Sequence, residues 1–253
     1  VQTSLFAFAE EFEKFAALKA NYNRLSGLIG AITSTESAEA PLAYSKSKES
    51  ILEVAGLKVP ILGGTLILSA DIRVNSGESL MLMGQSGLGK STLLHALKKN
   101  WPISTGKVKI AEDALMIPQN SYFPSSATLR EAISYPYRTT DFDDQSIMAA
   151  LEKVTLGRLA SRIDSQEDWN NILSGGEQQL LSLAKIFLKK PSLVLLDEPS
   201  SALNTETLEK VFAQLTADCQ KCSFIVVSHD DRLKRYFGKI RKFDENGKLL
   251  ASK

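Results

Sequence analysis

The sequence predicts an α/β fold, in which a mainly parallel β-sheet joins an antiparallel β region and a helical region. Three runs support this prediction, because they are apolar without polar alternation: Leu80–Met83, Leu193–Leu196 and Phe224–Val227. Strands that are apolar on both faces belong to a sheet covered by helices on each side. Between the first two runs, roughly over residues 121–175, the pattern becomes helical and more polar. This stretch is therefore expected to form a helical insertion.

Length and composition indicate a soluble globular protein. The 253 residues suffice for one large domain, or for one domain with an appendage, and they are 43% hydrophobic and 23% charged. The sequence contains no secretory signal and no apolar stretch of the roughly 18 residues that a membrane helix needs. Because the chain starts at Val1 rather than Met, we expect a processed or excised piece of a longer protein.

Charge and cysteine content argue against nucleic acid and zinc as ligands. A net charge of +1 does not predict nucleic-acid binding, and we expect the basic cluster near the C-terminus to be a solvated face. Cys219 and Cys222 form a lone C-x-x-C without a second pair or a nearby His, which does not match a zinc site. We expect them to fill the connection between a helix and a strand in a reducing compartment.

The N-terminal residues predict an appendage to the globular body. Phe8, Phe12 and Phe15 recur at helical spacing, which predicts one amphipathic helix over residues 1–32. The polar stretch 33–50, which is rich in Ser, Glu and Ala, predicts a linker. The expected division is therefore 1–50 and 51–253. Short apolar alternations punctuated by Gly and Pro predict antiparallel strands between Ile51 and Glu78.

A glycine-rich string follows the first apolar run and precedes a helical pattern. It fits G-x-x-x-x-G-K-[ST], whose backbone N–H groups and helix N-terminus cradle phosphates when it lies between a strand and a helix. Lys90 then reaches the outer phosphates, and the Ser91 hydroxyl is a ligand for Mg²⁺. The alternative is a glycine-rich turn with no ligand. The string predicts a nucleoside triphosphate site formed by Gly84, Gln85, Ser86, Gly87, Leu88, Gly89, Lys90, Ser91 and Thr92. We call Gly84–Gly89 the phosphate loop.

Two carboxylates end the second apolar run. Asp197 is expected to lie beside the phosphate loop and to hold Mg²⁺ through water, and Glu198 to orient or deprotonate the attacking water. The alternative is an acidic turn after a strand.

The string Leu173-Ser174-Gly175-Gly176-Glu177-Gln178-Gln179 predicts a second anion site. Ser174 and Glu177 have the spacing of a capping box at a helix start. A capping box does not explain two glycines in the first turn, because glycine costs helix stability there. Glycines at that position expose backbone N–H groups at the positive end of a helix, so we expect a nucleotide held from two sides.

Together, the strings GQSGLGKST, LSGGEQQ, LLDEP, SALN and VVSHD resemble the nucleotide-binding domain of ATP-binding cassette (ABC) proteins, over residues 51 to 250. The resemblance implies a P-loop NTPase core with an antiparallel β subdomain and a helical subdomain, and ATP and Mg²⁺ as ligands. It also implies a head-to-tail dimer, homo- or heteromeric, in which Ser174, Gly175, Gly176 and Glu177 act on the nucleotide of the partner.

Other roles come from the resemblance alone. Gln119 matches a glutamine that contacts Mg²⁺ and water and couples to the transport domain, His229 matches a histidine at the γ-phosphate, and Ser201–Asn204 matches a loop facing the partner's nucleotide. The stretch from Pro118 to Pro136 is similar to peroxisomal fatty-acyl half-transporters and their bacterial relatives. In that branch a membrane domain precedes the cassette in one polypeptide. The implied location is the cytoplasmic face of a membrane, the inner membrane in a bacterium.

The sequence also departs from the family pattern. The aromatic residue that stacks on adenine is not evident near Val59, Asn204 stands where Asp is common, and Leu180 where a basic residue is common. None of these changes removes a catalytic group, so we predict ATP hydrolysis that powers transport. Two alternatives remain open: a soluble cassette ATPase acting on ribosomes or DNA, and a cassette that binds ATP and regulates without hydrolysis.

Overall fold

The structure is a computed structural model, and it describes residues 19, 22, 25, 26, 42–48, 50–60, 67–101 and 103–250. The chain divides into two compact units, Val1–Pro41 and Leu42–Lys253. In the first unit, Lys19, Tyr22, Leu25 and Ser26 are helical and exposed. The remainder of the helix predicted over 1–32, and linker residues 33–41, lie outside the described residues.

The second unit has these elements within its described residues. The strands are β1 (Ala43–Ser47), β2 (Leu52–Pro60), β3 (Ile67–Val74), β4 (Ser79–Met83), β5 (Thr105–Ala111), β6 (Leu115–Ile117), β7 (Leu193–Asp197), β8 (Ser223–Val227) and β9 (Lys239–Lys242). The helices are α1 (Lys90–Leu97), α2 (Leu129–Ser134), α3 (Asp144–Lys153), α4 (Trp169–Ile172), α5 (Gly175–Lys189) and α6 (Thr205–Asp218). Short 3₁₀ helices cover Thr139–Asp141, Gly157–Arg162 and Asp231–Tyr236.

A five-stranded parallel sheet forms the centre of this unit, with strand order β6-β7-β8-β4-β9. The three apolar runs of the sequence are its neighbouring strands β7, β8 and β4. Alternate residues of each strand pack into two different cores: in β4, Met81 lies in one core and Leu82 in the other. Both faces are covered, which explains why these strands lack polar alternation. The α/β prediction is confirmed.

The two cores separate the helical region from the antiparallel sheet. The first core contains the fully buried Trp169, Phe123 and Phe212. It lies against one face of the parallel sheet and is covered by the helices that follow β6 and by α6 itself. Helices α2 to α4 fall within the helical insertion expected over 121–175. The second core lies between the opposite face of the sheet, α1 and the antiparallel sheet.

The antiparallel region has the strand order β1-β5-β2-β3. Strand β2 is antiparallel to β3 and β5, as predicted for the strands after Ile51. The structure corrects the linker prediction at Ala43–Ser47, which forms β1 and pairs parallel with β5. The compact unit therefore starts at Leu42, not near Ile51. This edge strand is held by backbone pairing, and its residues Tyr, Ser and Lys have no apolar pattern from which it could be read.

Two smaller expectations can be compared with the structure. Cys219 caps the C-terminus of α6 and Cys222 directly precedes β8, and both thiols are buried and free. They fill the helix-to-strand connection, as predicted.

Within the described residues, no helix has the length and hydropathy needed to cross a lipid bilayer.

Candidate active site

Most of the predicted site residues follow three adjacent strands. Strand β4 leads into the phosphate loop and α1, β7 ends at Asp197, and β8 is followed by Ser228 and His229. Because the carboxyl ends of neighbouring parallel strands meet at one edge, all three segments converge there. Ligands of open α/β sheets bind at that edge.

The phosphate loop has the backbone that an anion cradle needs. Gly87 (φ 82°) and Gly89 (φ 81°) are in the left-handed region, which glycine enters at no steric cost. Gly89 is the N-cap of α1, and no side chain caps the first N–H groups of the helix. These donors, together with the helix dipole, are suited to a phosphate.

Lys90 lies across this loop, and it is 7% exposed. Its Nζ donates hydrogen bonds to the carbonyl oxygens of Gly84 (2.9 Å) and Gln85 (2.7 Å). Burial lowers the pKa of the Lys90 ammonium, and the nearby carboxylates of Glu198 and Asp197 oppose that shift. One cation and two carboxylates therefore share one partly desolvated volume.

Ser91 and Asp197 meet directly, since the Ser91 Oγ donates to Asp197 Oδ1 at 2.9 Å. Asp197 is 3% exposed, and burial raises its pKa, with the Ser91 hydrogen bond acting in the opposite direction. A buried carboxylate beside a hydroxyl provides the oxygen ligands that Mg²⁺ prefers. The described residues contain no cluster of three or more His, Cys, Asp or Glu suited to a metal. This donor set fits Mg²⁺, which usually takes one or two carboxylates plus substrate phosphates.

Glu198 is held at every polar atom. Its N–H donates to the Val227 carbonyl at 2.8 Å. Its carboxylate accepts a hydrogen bond from Ser228 Oγ at 2.9 Å, and its other oxygen lies 2.9 Å from His229 Nδ1. The Glu198 side chain is 11% exposed and the His229 side chain 75%, so the carboxylate lies inside and the imidazole faces solvent. His229 and Glu198, predicted from distant segments, are therefore in direct contact.

Two side chains of this network were not predicted from the sequence. Ser228 is fully buried and holds both the Glu198 carboxylate and the N–H of Asp230, the latter at 3.1 Å. Ser228 could have been predicted from the sequence, because it is the first polar residue after a buried strand, at the carboxyl edge of the sheet. Gln179, 4% exposed on α5, donates to the Glu198 carbonyl at 2.9 Å. A glutamine within an amphipathic helix gave no local signal for that contact.

The predicted second anion site lies at the N-terminus of α5, and we call Ser174–Gly176 the signature tip. The capping box is confirmed: Ser174 Oγ accepts from the Glu177 N–H at 3.3 Å, and Glu177 Oε2 accepts from the Ser174 N–H at 3.0 Å. Burial disfavours the charged form of Glu177, but hydrogen bonds from Arg158 and Ser174 outweigh it and lower the pKa. Ser174 and Gly175 are exposed, and within the described residues the Ser174 side chain bonds only to Glu177 in the capping box.

The remaining predicted residues lie at the margins of this network. Gln119 is exposed in the loop after β6, the strand beside β7, and it makes no hydrogen bond to the described residues of the site. Ser201 and Ala202 are exposed, and Asn204 caps α6 by accepting from the Thr207 N–H at 2.9 Å. Asparagine there serves as an N-cap, a role that Asp also fills.

The structure also shows that Val59 is not a base-stacking residue. Its side chain is fully buried in the core beneath the antiparallel sheet. Tyr44, the nearest upstream aromatic residue in sequence, is half-buried in β1 with Lys99 Nζ 5.9 Å from its ring centre. Lys99 follows α1, so Tyr44 lies near the end of α1 opposite to the phosphate loop.

Comparisons with known proteins agree with this geometry. A family profile described as "ABC transporter" matches residues 68–201. The uncharacterized ABC transporter ATP-binding protein sll0182 of Synechocystis is 34% identical over 79% of this chain and 31% of its own length. The lysosomal cobalamin transporter ABCD4 of Homo sapiens is 31% identical over 82% of this chain and 36% of its own length. The inner membrane ABC transporter ATP-binding protein YddA of Escherichia coli is 29% identical over 90% of this chain and 40% of its own length.

Solved structures share the fold. A bacterial Atm1-family ABC exporter with ATP bound superposes with a TM-score of 0.68 at 20% identity, over 83% of this chain and 41% of that one. An inward-facing putative metal-chelate type ABC transporter gives 0.64 at 24% identity, over 79% of this chain and 82% of that one. This chain spans about a third of the length of the curated relatives named above.

Proposed function

The chain belongs to the ABC transporter family, whose ATP-binding domains are ATPases, and on that premise we propose that it hydrolyses ATP to drive a membrane transporter. The observation that supports this most strongly is the direct contact among residues from three segments. Ser91 bonds to Asp197, Glu198 lies within hydrogen-bond distance of His229, and Lys90 interacts electrostatically with both carboxylates. Positioning and charge stabilisation are what phosphoryl transfer requires.

Each group has a role in this proposal. The backbone N–H groups of the phosphate loop and the N-terminus of α1 bind the phosphates, and Lys90 turns from its two carbonyl partners to the outer phosphate. Glu198 orients the attacking water and accepts its proton. His229, 75% exposed on its side chain, exchanges its contact with Glu198 for one with the γ-phosphate. Gln119, in the loop after β6, completes the water and metal environment.

We propose Mg²⁺ as the metal, held by Ser91 and by Asp197 through water, with Gln119 as a third ligand. When bound, it neutralises charge on the transferring phosphoryl group. The Ser91–Asp197 pair supports this assignment, because a hydroxyl and a buried carboxylate already meet at one point. The raised pKa of the Asp197 carboxyl, caused by burial, indicates a group that gains from a neighbouring cation.

The second anion site is proposed to act on a partner's nucleotide. In the signature tip Ser174 and Gly175 are exposed and Gly176 is half-buried, and the capping box leaves the N–H groups of both glycines at the positive end of a 15-residue helix. Two protomers arranged head to tail place each tip against the nucleotide on the other's phosphate loop. Binding of ATP closes this dimer, and hydrolysis opens it.

The proposed partner is a membrane domain, preceding this cassette in one polypeptide on the cytoplasmic side of a membrane. Three observations support it: the relatives are more than twice as long as this chain, several are named transporters, and YddA is named an inner membrane protein. The relatives include ABCD4, a protein named ATP-binding cassette sub-family D member 3, and bacterial proteins. They agree with the resemblance to peroxisomal fatty-acyl half-transporters and their bacterial relatives. The near-neutral charge agrees with a partner other than nucleic acid.

Substitution of Glu198 tests the proposed chemistry. Glu198→Gln should bind ATP as the unaltered chain does and lose turnover by on the order of 10²-fold or more, because the base is removed and the amide retains the shape. Lys90→Ala should lose ATP binding as well as turnover. The control is Glu112→Gln, which makes the same change at an exposed carboxylate after β5 and should retain full turnover. Undiminished turnover in Glu198→Gln removes Glu198 from its role, and absence of turnover in the unaltered chain contradicts the function itself.

A further inference from the structure

We propose that Gln179 is a positioning residue, which fixes the main chain of Glu198 and fastens the signature helix α5 to the segment 198–202. We call this segment the Glu198 loop. The inference rests on the proposed hydrolytic role of Glu198. It adds a side chain that touches neither nucleotide nor metal and that acts through Glu198.

Within the part of the chain that the structure describes, the Gln179 side chain makes three hydrogen bonds, all to the Glu198 loop. Its Nε2 donates to the Glu198 carbonyl at 2.9 Å and to Ser201 Oγ at 3.2 Å. Its Oε1 accepts from the Ala202 N–H at 3.1 Å. The side chain is 4% exposed. A buried amide whose donors and acceptor all go to one loop holds that loop in one position, because losing any partner leaves a buried polar group unsatisfied.

The backbone of Glu198 explains why such a brace is needed. Glu198 has φ 44°, in the left-handed region that costs a residue with a β-carbon about 1–3 kcal/mol. Such a conformation persists only where the surroundings hold it on several sides. The Val227 carbonyl holds the Glu198 N–H, and Gln179 holds the Glu198 carbonyl. The Glu198 carbonyl also accepts from the Ser201 N–H at 3.2 Å, so without Gln179 it keeps only that longer bond within its own loop, and the strained peptide behind the carboxylate is held less firmly.

A second contact joins the same two elements. A β-carbon added at Gly176 would lie 2.8 Å from the Ala202 carbonyl oxygen, so the first turn of α5 runs directly against the Glu198 loop. Gly176 belongs to the signature tip, and Gln179 lies one turn further along the same helix. The tip and the catalytic carboxylate of one protomer are therefore one mechanical unit.

In a head-to-tail dimer this unit spans two nucleotides. Glu198 acts on the nucleotide of its own phosphate loop, and the signature tip acts on that of the partner. Gln179 is the side chain that ties them together, so movement of the tip on ATP binding is transmitted to the direction of the Glu198 carboxylate. Its loss should therefore slow the chemical step without weakening ATP binding.

The test replaces Gln179 by Met, which has similar length and lacks the donors and the acceptor. We expect kcat for ATP hydrolysis to fall about 10- to 100-fold, as for a reacting group displaced by about 1 Å, with KM unchanged. Binding of a fluorescent ATP analogue should be retained. Hydrogen exchange of the Ala202 amide should accelerate, because its acceptor is gone. Gln179→Glu, which retains the acceptor and loses both donors, provides a second reading should Met destabilise the fold.

The control for general destabilisation is Ile147→Val, a fully buried substitution in α3. It should lower the unfolding temperature and leave kcat unchanged. Unchanged kcat in Gln179→Met, or a rise in KM at constant kcat, overturns the inference while ATP hydrolysis by the chain stands. No turnover in the unaltered chain overturns the proposed function, and this inference with it.

Discussion

Two adjacent glycines of the signature tip are expected to respond differently to the same substitution. Gly175 and Gly176 are the first two residues of α5. A β-carbon at position 175 meets no atom within 4 Å, whereas one at position 176 meets the Ala202 carbonyl oxygen at 2.8 Å. The pair Gly175→Ala and Gly176→Ala therefore isolates one contact, that between α5 and the Glu198 loop.

The magnitude follows from the geometry. Alanine is preferred to glycine in a helix by about 0.5–1 kcal/mol in the interior and by less in the first turn, and both substitutions share this gain. At Gly176 the added carbon is about 0.6 Å inside the 3.4 Å at which ordinary contact begins, and it meets a backbone atom. Overpacking of this kind costs about 1–3 kcal/mol. Gly175→Ala should be neutral or stabilising, and Gly176→Ala less stable than it by about 1–3 kcal/mol.

Equilibrium denaturation with urea measures this difference for both variants under the same conditions. In a domain of this size the same difference corresponds to roughly 2–12 °C in the unfolding temperature. Gly176→Ala that is as stable as Gly175→Ala would show that the tip does not pack against the Glu198 loop. In that case the proposal that α5 and the Glu198 loop form one mechanical unit is wrong.

Three further substitutions test other parts of the structure. Ser91→Ala, which removes the hydroxyl bound to Asp197, should raise the Mg²⁺ concentration for half-maximal ATP hydrolysis on the order of 10-fold or more; an unchanged Mg²⁺ dependence contradicts the metal assignment. Thr128→Ala breaks the capping box of α2 and should lower stability by about 1 kcal/mol, with turnover retained. Hydrogen bonds from Arg232 lower the pKa of the Asp230 carboxyl to about 2, so its stabilisation is complete above the unfolded pKa near 4 and is lost as pH falls toward 2. Arg232→Met should therefore be less stable at pH 7, and the difference from the unaltered chain should shrink below pH 4; a difference independent of pH refutes this.

The sequence allowed prediction of those parts of the site that depend on neighbours in the chain. A phosphate loop is defined by glycines within a few residues of Lys90, and a capping box by Ser174 and Glu177 three positions apart. The carboxylates at the end of β7 were recognisable because an apolar run stops at Asp197. Each of these patterns is local, and the local structure has the matching elements: a helix that starts after Gly89, a capping box at Ser174 and a strand that ends at Asp197.

The rest depends on contacts between distant residues. Gln179 and Glu198 are 19 positions apart, and Ser228 and Glu198 are 30 apart, so no periodicity relates them. Strand β1 was missed for the same reason, because Ala43–Ser47 pairs with β5 more than 60 residues later and has no apolar face of its own. The positive φ of Glu198 is likewise imposed by its surroundings and not by its residue type.

The central claim is that one protomer's phosphate loop and its partner's signature tip enclose the same ATP. Sedimentation of the Glu198→Gln variant, with and without ATP and Mg²⁺, tests it most directly. We predict a monomer without nucleotide, and with it a dimer containing two ATP molecules that a second substitution, Ser174→Arg, abolishes while each monomer still binds ATP. A variant that binds ATP and remains monomeric at every protein concentration tested contradicts the claim.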